Sequence, residues 1–550
     1  MRTISPVSAN RVRVQALLAG GVHDYSHLAR PLLNGLDLTH HFDVEVITDP
    51  AALAFDDGRV ILALSDRPLG PAQDLQLAEF VRRGGGLVLM AGTLAAWGAQ
   101  PAVSALARWT PSGPGPSTEL ILRPDPSHQI TERLGPELKL TDQLYLSEGP
   151  PADASVLLRT SWHFTEQVVA YERAVGEGRF VHIGLGHSVG THENGVFQKL
   201  VHRILLFAAG RRPPAPLGVG LIGYGAIARD HAASISRVAG LRLAGVCDIS
   251  AERRDLASRE WSVPVHAGAG GLYDDPEVGL VVIGTPPVAH AESVLGALTA
   301  GKHVVCEKPF ALRVDEVDRM IDEAVARDRV LTIYQSRRWD PDYVALRDVV
   351  RRGSIGEPFY MESFIGGYSH PCDFWHSHEP ISGGAVYDWG SHYFDWILQL
   401  FPDAVRTVTA RAHKRVWHDV TNSDQVRVDL TFANGAQATF LQSDIAGAVK
   451  PKWYVLGTRG AVVGEWRDER VPADFPARVK VYRPAEGGSH EEVLALPARD
   501  DLGFYRNLAD HIAWDEALAV SPADARRTVG VMESATRSIE RGGAQLEVDI

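Results

Sequence analysis

The 550-residue sequence predicts an α/β protein of three units: a doubly wound parallel unit, a second parallel-sheet unit, and an α/β unit with an open, mostly antiparallel sheet. Three observations predict this. Short apolar runs alternate with helix-like stretches over residues 12–208 and again from 217 to about 310, the pattern of parallel strands joined by crossover helices. Pro213-Pro214-Ala215-Pro216 separates the two stretches as an extended connector. From about residue 405 apolar and polar residues alternate, as in Gln425-Val426-Arg427-Val428-Asp429-Leu430, which suits strands with one solvated or ligand-facing side. The connector places a cut at about residue 214, after a first half of about 213 residues.

Composition narrows the class. Hydrophobic residues make up 45% and charged residues 22%, ordinary for a globular chain and unlike a disordered one. The net charge of −13 argues against nucleic acid or an anionic membrane as partner, both of which attract positive fields. Cys247, Cys306 and Cys372 are too few for a disulfide framework and suit a reducing compartment. Arg11 and Arg13 interrupt the place where a signal peptide needs its apolar core, and no run approaches the roughly 18 apolar residues of a membrane helix. A cytoplasmic protein is expected.

In the first unit, strands are expected at 12–18, 44–47, 60–64, 87–90 and 179–183. A helix at 75–83 stops at Gly84-Gly85-Gly86, and another follows at 196–208. The first strand runs into Gly20-Gly21-Val22-His23-Asp24-Tyr25 and the last into Gly184-Leu185-Gly186-His187-Ser188. Polar residues at such strand ends are candidates for a pocket.

The second unit opens with strand 218–222 and then Gly223-Tyr224-Gly225-Ala226-Ile227-Ala228, the G-x-G-x-x-A form of a dinucleotide fingerprint. Gly223 permits the tight turn, Gly225 lets backbone approach a pyrophosphate, and Ala228 lets the helix pack closely on the strand. The N–H groups that open the helix face the phosphates. A second strand, 241–246, ends at Cys247-Asp248. An acid there accepts hydrogen bonds from ribose hydroxyls and repels a 2′-phosphate, which favours NAD over NADP. Arg253 and Arg254 stand nearby. Strand 278–283 ends in Gly284-Thr285-Pro286-Pro287, with His290 opening the next helix. Strand 303–306 ends in Glu307-Lys308-Pro309. Ligands of open α/β sheets sit at such carboxyl ends.

Together, 223–228, Asp248, Thr285-Pro286 with His290, and Glu307-Lys308-Pro309 resemble the Gfo/Idh/MocA oxidoreductases. These pair a Rossmann domain with an α/β substrate domain carrying an open, mostly antiparallel sheet, which implies units at 1–213, 214–336 and 337–550. The resemblance continues through Arg338-Trp339-Asp340-Pro341, Gly353-Ser354-Ile355-Gly356-Glu357, and a signature running from Gly383-Gly384 through Tyr387, Asp388 and His392 to Asp395. It implies an NAD(P)-dependent oxidoreductase acting on CH–OH groups, with Lys308, Asp388 and His392 as catalytic residues. His392 takes the alcohol proton, since histidine titrates near working pH. Asp388, one helical turn earlier, orients the imidazole or holds a sugar hydroxyl. Lys308, on a Lys308–Pro309 bond that the resemblance implies to be cis, stabilises a developing alkoxide. Cofactor contacts are expected from Gly223, Gly225, Ala226, Ile227, Ala228, Asp248, Thr285, Pro286, His290, Glu307, Lys308 and Arg338. Arg338 has an alternative role in a structural ion pair. Substrate contacts are expected from Lys308, Trp375, Tyr387, Asp388 and His392. His370, Cys372, His376 and His378 lack a strong zinc spacing, and no metal is expected; a pocket loop with Trp375 as a stacking platform is the plainer reading.

The first unit resembles the ThuA-like (trehalose-utilisation) family, related to class I glutamine amidotransferases and of flavodoxin-like architecture. The matching pieces are Gly20-Gly21 with His23, the helix end at 80–86, His128, Asp142-Gln143-Leu144-Tyr145, and Gly178-Arg179-Phe180 with Gly186-His187. Gln143 stands where the family often has Glu, and Met90-Ala91-Gly92 where it often has a histidine. A class I amidotransferase needs a thiolate. This unit has no cysteine, so glutaminase chemistry by that route is excluded. His23, Asp24, His128, Asp142, Tyr145, His163 and His187 remain as pocket candidates, with His192 beside them.

The expected function is NAD-dependent oxidation of a ring hydroxyl of a sugar, glycoside or polyol, in a homo-oligomer (dimer or tetramer). The fused ThuA-like unit then handles the same substrate or its keto form. One alternative keeps NAD bound and recycles it, giving glycoside cleavage or epimerisation through a 3-keto intermediate. Another makes the first unit a non-catalytic binding or assembly module.

Overall fold

A computed structural model describes residues 11–38, 41–109, 113–132, 134–146, 149–211, 215–372, 374–466, 476–514 and 516–550. Pro213 and Pro214 of the predicted connector lie outside the described residues. Two compact units emerge, residues 1–215 with 510–517, and residues 216–509 with 518–550.

The first unit holds one sheet, with strands β1 (Val12–Ala19), β2 (Phe42–Ile47), β3 (Arg59–Ser65), β4 (Gly86–Met90), β5 (Gly113–Pro124), β6 (Leu138–Leu146), β7 (Ser155–Trp162), β8 (Thr165–Val175) and β9 (Gly178–Ile183). The order is β2-β1-β3-β4-β9-β8-β7-β5-β6. The first five in that order are parallel, as expected from their apolar runs, and β8, β7, β5 and β6 add an antiparallel wing that the sequence reading did not assign. Two cores lie on the two faces, because side chains alternate along a strand. Val60, Leu62 and Leu64 of β3 pack with Leu200 and Ile204 of the helix Gly195–Ala208. Ile61 and Ala63 pack with Leu77 and Val81 of the helix Pro71–Arg82. Within this unit the fully buried Arg203 pairs with Asp510 at 2.6 Å and Glu516 at 3.1 Å.

The second unit has two sheets. Strands β10 (Leu217–Ile222), β11 (Leu241–Cys247), β12 (Val265–His266), β13 (Leu280–Ile283), β14 (His303–Cys306) and β15 (Leu331–Ile333) run parallel in the order β12-β11-β10-β13-β14-β15. The chain reverses direction across this sheet at β10 and β13, which opens a crevice at their carboxyl ends. The other sheet contains β16 (Pro358–Gly366), β17 (Val405–His413), β18 (Gln425–Phe432), β19 (Gln437–Ser443), β20 (Trp453–Gly457), β21 (Gly460–Glu465), β22 (Arg478–Ala485), β23 (Gly488–Val493) and β24 (Leu546–Glu547). Its order is β23-β22-β21-β20-β16-β19-β18-β17-β24, antiparallel throughout except for β16 beside β19. No helix among the described residues is long and apolar enough to cross a membrane.

Candidate active site

In the second unit the crevice begins at the turn after β10. Gly223 has φ +88°, and a Cβ there would meet the Gly284 carbonyl oxygen at 2.9 Å, so only glycine fits. At Gly225 a Cβ would meet nothing within 4 Å; the space above the loop is open. The helix Ala226–Arg237 starts without a side-chain cap, leaving its first N–H groups available, and Ala228 is buried against the sheet. Asp248, buried after β11, accepts the Tyr224 N–H at 2.7 Å and the Ser250 N–H at 2.7 Å. Its remaining lone pairs suit ribose hydroxyls, and Arg253 Nη1 lies 3.7 Å away. Thr285 Oγ1 is buried without a hydrogen-bond partner among the described residues, just before Pro286 and the turn Pro287–Ala289. An open glycine turn, an uncapped helix start and an orphaned hydroxyl fit a dinucleotide.

His290 does not reach this crevice. It is fully buried, with Nε2 2.8 Å from the Thr285 carbonyl and Nδ1 2.8 Å from the Pro309 carbonyl. The expected cofactor contact becomes a clamp between two strand ends. Glu307 is likewise committed. Oε1 lies 3.0 Å from His231 Nε2, Oε2 accepts the Lys308 N–H at 2.8 Å, and the Tyr505 hydroxyl lies 2.7 Å from His231 Nδ1. The Lys308–Pro309 bond is cis, as the resemblance implies.

Lys308, Asp388 and His392 meet in a cavity of about 730 Å³, which Ile227, Glu307, Arg337 and Trp339 also line. Lys308 Nζ lies 3.1 Å from Asp388 Oδ1. Asp388 ends the short helix Ala385–Asp388 and His392 lies in the next, Gly390–Leu400, so the two are not on one continuous helix. The imidazole is oriented by Gln335, not by Asp388. Gln335 Nε2 donates to the Ser391 carbonyl at 2.8 Å, which turns Oε1 toward His392 Nδ1 at 2.9 Å. The acceptor Oε1 places the proton on Nδ1 and leaves a lone pair on Nε2. Burial, aided by the charges of Lys308 and Arg337, holds His392 well below the usual imidazole range. Burial, then Asp388 and Asp424, pushes the Asp444 carboxyl up to about 6. His376 feels Asp388, Lys308 and Glu307, although burial is what mainly lowers it.

The first unit has a smaller cavity of about 540 Å³, lined by Gly20, Gly21, His23, Asp24, Tyr25, Thr48 and Arg67. Asp66, at the end of β3, holds its floor by accepting N–H groups from Gly21, Val22 at 2.9 Å and His23 at 3.1 Å. Burial pushes the Asp66 carboxyl up, but these donors outweigh it and hold it below the usual range. Asp24 caps the helix Tyr25–Leu28. The rings of His23 and His187 are 5.7 Å apart, and His187 stacks on Tyr145 at 5.0 Å. Buried Asp142 fixes the loop after β9, accepting N–H groups from Gly186 at 2.7 Å and His187 at 3.1 Å.

Comparisons with known proteins match this geometry domain by domain. Residues 217–335 match the Gfo/Idh/MocA oxidoreductase family, NAD-binding Rossmann fold; residues 343–463 match the Gfo/Idh/MocA C-terminal domain; residues 11–208 match ThuA, trehalose utilisation. The chain is a ThuA domain fused to a Gfo/Idh/MocA oxidoreductase. It is 29% identical over 345 residues to the uncharacterized oxidoreductase YdgJ of Escherichia coli, covering 58% of this chain and 95% of that one. It is 25% identical over 352 residues to the scyllo-inositol 2-dehydrogenase (NADP(+)) IolW of Bacillus subtilis, covering 60% and 95%. An NAD-binding protein from Listeria innocua superposes with a TM-score of 0.54 at 26% identity, covering 61% and 100%. The Gfo/Idh/MocA domains thus bring a nicotinamide dinucleotide to the second unit.

Besides His290, five further expected contacts are corrected. In the oxidoreductase, Arg338 is buried and bonded to Asp395 at 2.8 Å and Asp524 at 3.2 Å, so it is the alternative, structural ion pair and not a cofactor ligand. Tyr387 is buried with its hydroxyl donating to the Leu312 carbonyl at 2.7 Å. Trp375 does not line the cavity; it stacks on His376 with centroids 3.7 Å apart. In the ThuA domain, His128 sits beside Glu172 at 3.6 Å and against Phe207, apart from His23 and His187. His163 is exposed on the β7–β8 turn, where its φ is +45°. The loop cluster does not converge, since His370 bonds Asp419 at 2.7 Å and Cys372 faces Ser377 at 3.4 Å. Among the described residues no three His, Cys, Asp or Glu side chains form a metal-binding group.

Gln335, His231, Tyr505, Arg337, Asp444 and Asp66 were not singled out in the sequence. Gln335 and Asp66 carried a usable signal, since each follows the carboxyl end of a parallel strand.

Proposed function

We propose that the Gfo/Idh/MocA domains oxidise a ring hydroxyl of a sugar, glycoside or polyol with NAD, and that the ThuA domain takes the same carbohydrate in its keto form. The observation that carries the oxidase reading is the unprotonated Nε2 of His392 in one cavity with the Lys308–Asp388 pair. A bound nicotinamide supplies the hydride acceptor. His392 Nε2 takes the hydroxyl proton. The Lys308 ammonium stabilises negative charge building on that oxygen, and Asp388 holds the ammonium in place. Trp339 and Ile227 narrow the cavity around these groups. The preference for NAD rests on Asp248 at the ribose position; IolW, an NADP(+) enzyme by name, makes this a point to measure.

The test is a panel of inositols and glycosides offered with NAD and with NADP, read by nicotinamide absorbance and product mass. Free NADH formed alongside a keto product supports the reading. Product formed at unchanged mass or as a cleaved glycoside, with nicotinamide retained on the protein, replaces it with a redox-neutral cycle. No turnover across the panel refutes it.

A further inference from the structure

β4 ends at Met90 and the chain turns through Ala91 into the helix Thr93–Trp97. Ala91 has φ +54°, the left-handed region that a side chain enters at a cost. Such a sharp strand-to-helix turn is the architecture that presents a nucleophile in acyl-transfer enzymes, and here it presents a methyl group. The turn is nevertheless fixed, with the Ala91 N–H donating to the Leu185 carbonyl at 2.9 Å in the loop that carries His187.

Beside this turn lie the side chains of Tyr145 and His187. A Cβ at Gly92 would meet Tyr145 Oη at 2.6 Å and His187 Nε2 at 3.4 Å, so both atoms face the turn. Among the described residues neither nitrogen of His187 has a hydrogen-bond partner, and its side chain is 5% exposed; the nearest carboxylate oxygen, on Asp142, is 3.7 Å from Nδ1. Tyr25 is 1% exposed, lines the cavity, and its hydroxyl is also without a hydrogen-bond partner among the described residues; His23, which lines the same cavity, connects the two, its ring 5.4 Å from that of Tyr25 and 5.7 Å from that of His187. Buried polar groups are rarely left so, because each forfeits its hydration. Burial, only partly offset by Asp142, lowers His187 to about 4, leaving a neutral base. Burial and the Asp66 charge hold the Tyr25 phenol protonated.

We propose that the ThuA domain is a non-covalent acid–base catalyst that enolises a polyhydroxylated ketone, with His187 as base and Tyr25 as acid; this rests on the reading that the domain takes a keto carbohydrate. The carbon next to the carbonyl gives its proton to His187 Nε2. The C–H electron pair forms the enol double bond, the carbonyl π pair moves to oxygen, and Tyr25 Oη delivers its proton there. No oxidant or reductant is required. Reprotonation of that carbon by solvent on its other face epimerises it, as the enol oxygen returns its proton to Tyr25 Oη. A leaving group one carbon further departs from the same enol as its O–H proton returns to Tyr25 Oη and the carbonyl re-forms; the C–O bond breaks with its electron pair and the leaving oxygen takes the proton held by His187 Nε2. With a methyl group at the nucleophile position, no covalent intermediate forms.

The full chain, without nicotinamide, is incubated in D2O with 2-keto-myo-inositol and with methyl 3-keto-glucopyranoside, and deuterium uptake beside the carbonyl is followed by NMR. The expected result is catalysed uptake from at least one probe, reduced a hundredfold or more by His187→Gln and by the near-isosteric Tyr25→Phe, each with an unchanged melting temperature. Uptake insensitive to both variants overturns the assignment. No uptake, but saturation transfer to a probe that Tyr25→Phe weakens, overturns the chemistry and leaves the keto-binding reading standing. Neither uptake nor such binding overturns both.

Discussion

His392 and Gln335 form the working contact of the oxidoreductase cavity: Nδ1 and Oε1 are 2.9 Å apart, and the amide is held from behind by the Ser391 carbonyl. A glutamine that can only accept at Oε1 fixes a neutral imidazole in one tautomer. His392→Ala and Lys308→Ala are each expected to lower kcat by about 10²–10⁴-fold with NAD still bound. Gln335→Leu is expected to lower kcat by on the order of tenfold or more, with KM less affected. Gln335→Glu puts a charge against the ring and moves the acid limb of the pH–rate profile upward. Unshifted profiles would remove Gln335 from the mechanism.

Gly225 separates folding from cofactor binding. Its backbone is extended at φ −84° and a Cβ there meets no protein atom, so Gly225→Ala should change stability by less than about 0.5 kcal/mol. The added methyl occupies space that a pyrophosphate needs, and the KM for NAD should rise by about tenfold or more. Thermal melts and cofactor titrations on the same preparation check both halves.

Asp444 gives a pH dependence of known sign. Its carboxyl is raised from 3.8 to about 6 by burial and by Asp388. A carboxyl raised in the folded state favours folding when protonated. That contribution is fully present below the unfolded value near 4 and is lost as pH rises through 6. The shift of about two units corresponds to about 3 kcal/mol by pH 7. Asp444→Asn should therefore raise the melting temperature at pH 8 and leave it nearly unchanged at pH 4. Equal effects at both would show that the carboxylate is not strained by burial.

Ala91 tests the turn in the ThuA domain. Ala91→Gly relieves the left-handed penalty at some entropic cost and should hold or raise stability, by up to about 1 kcal/mol. Ala91→Val adds a branched side chain at φ +54° in a fully packed place and should lose about 2 kcal/mol or more. A melting temperature lowered by glycine would contradict the backbone conformation.

The parallel strands were legible because buried central strands read as unbroken apolar runs, and β14, His303–Cys306, falls where the sequence places it. Lys308, Asp388 and His392 were legible as residues but not as partners. Spacing suggested that Asp388 orients His392, whereas a helix break at Trp389 and the long-range contact with Gln335 decide otherwise. His290 and Arg338 show the same limit from the other side: a motif marks them as important, and only packing reveals that their polar atoms bind protein. The wing β5–β8 escaped notice because its strands mix prolines, glycines and charges with few apolar runs.

Arg203 sets an order in time. Its helix ends at Ala208, yet the carboxylates that neutralise it, Asp510 and Glu516, are about three hundred residues further along the chain. At roughly 5–20 residues per second, a ribosome takes from about 15 seconds to a minute to deliver them. Until then the guanidinium lacks both of these carboxylates, and burying it without them is unfavourable. The domain whose synthesis begins first therefore cannot neutralise this guanidinium until residue 516 has been made, and a fragment cut at the proline-rich connector would lack both carboxylates.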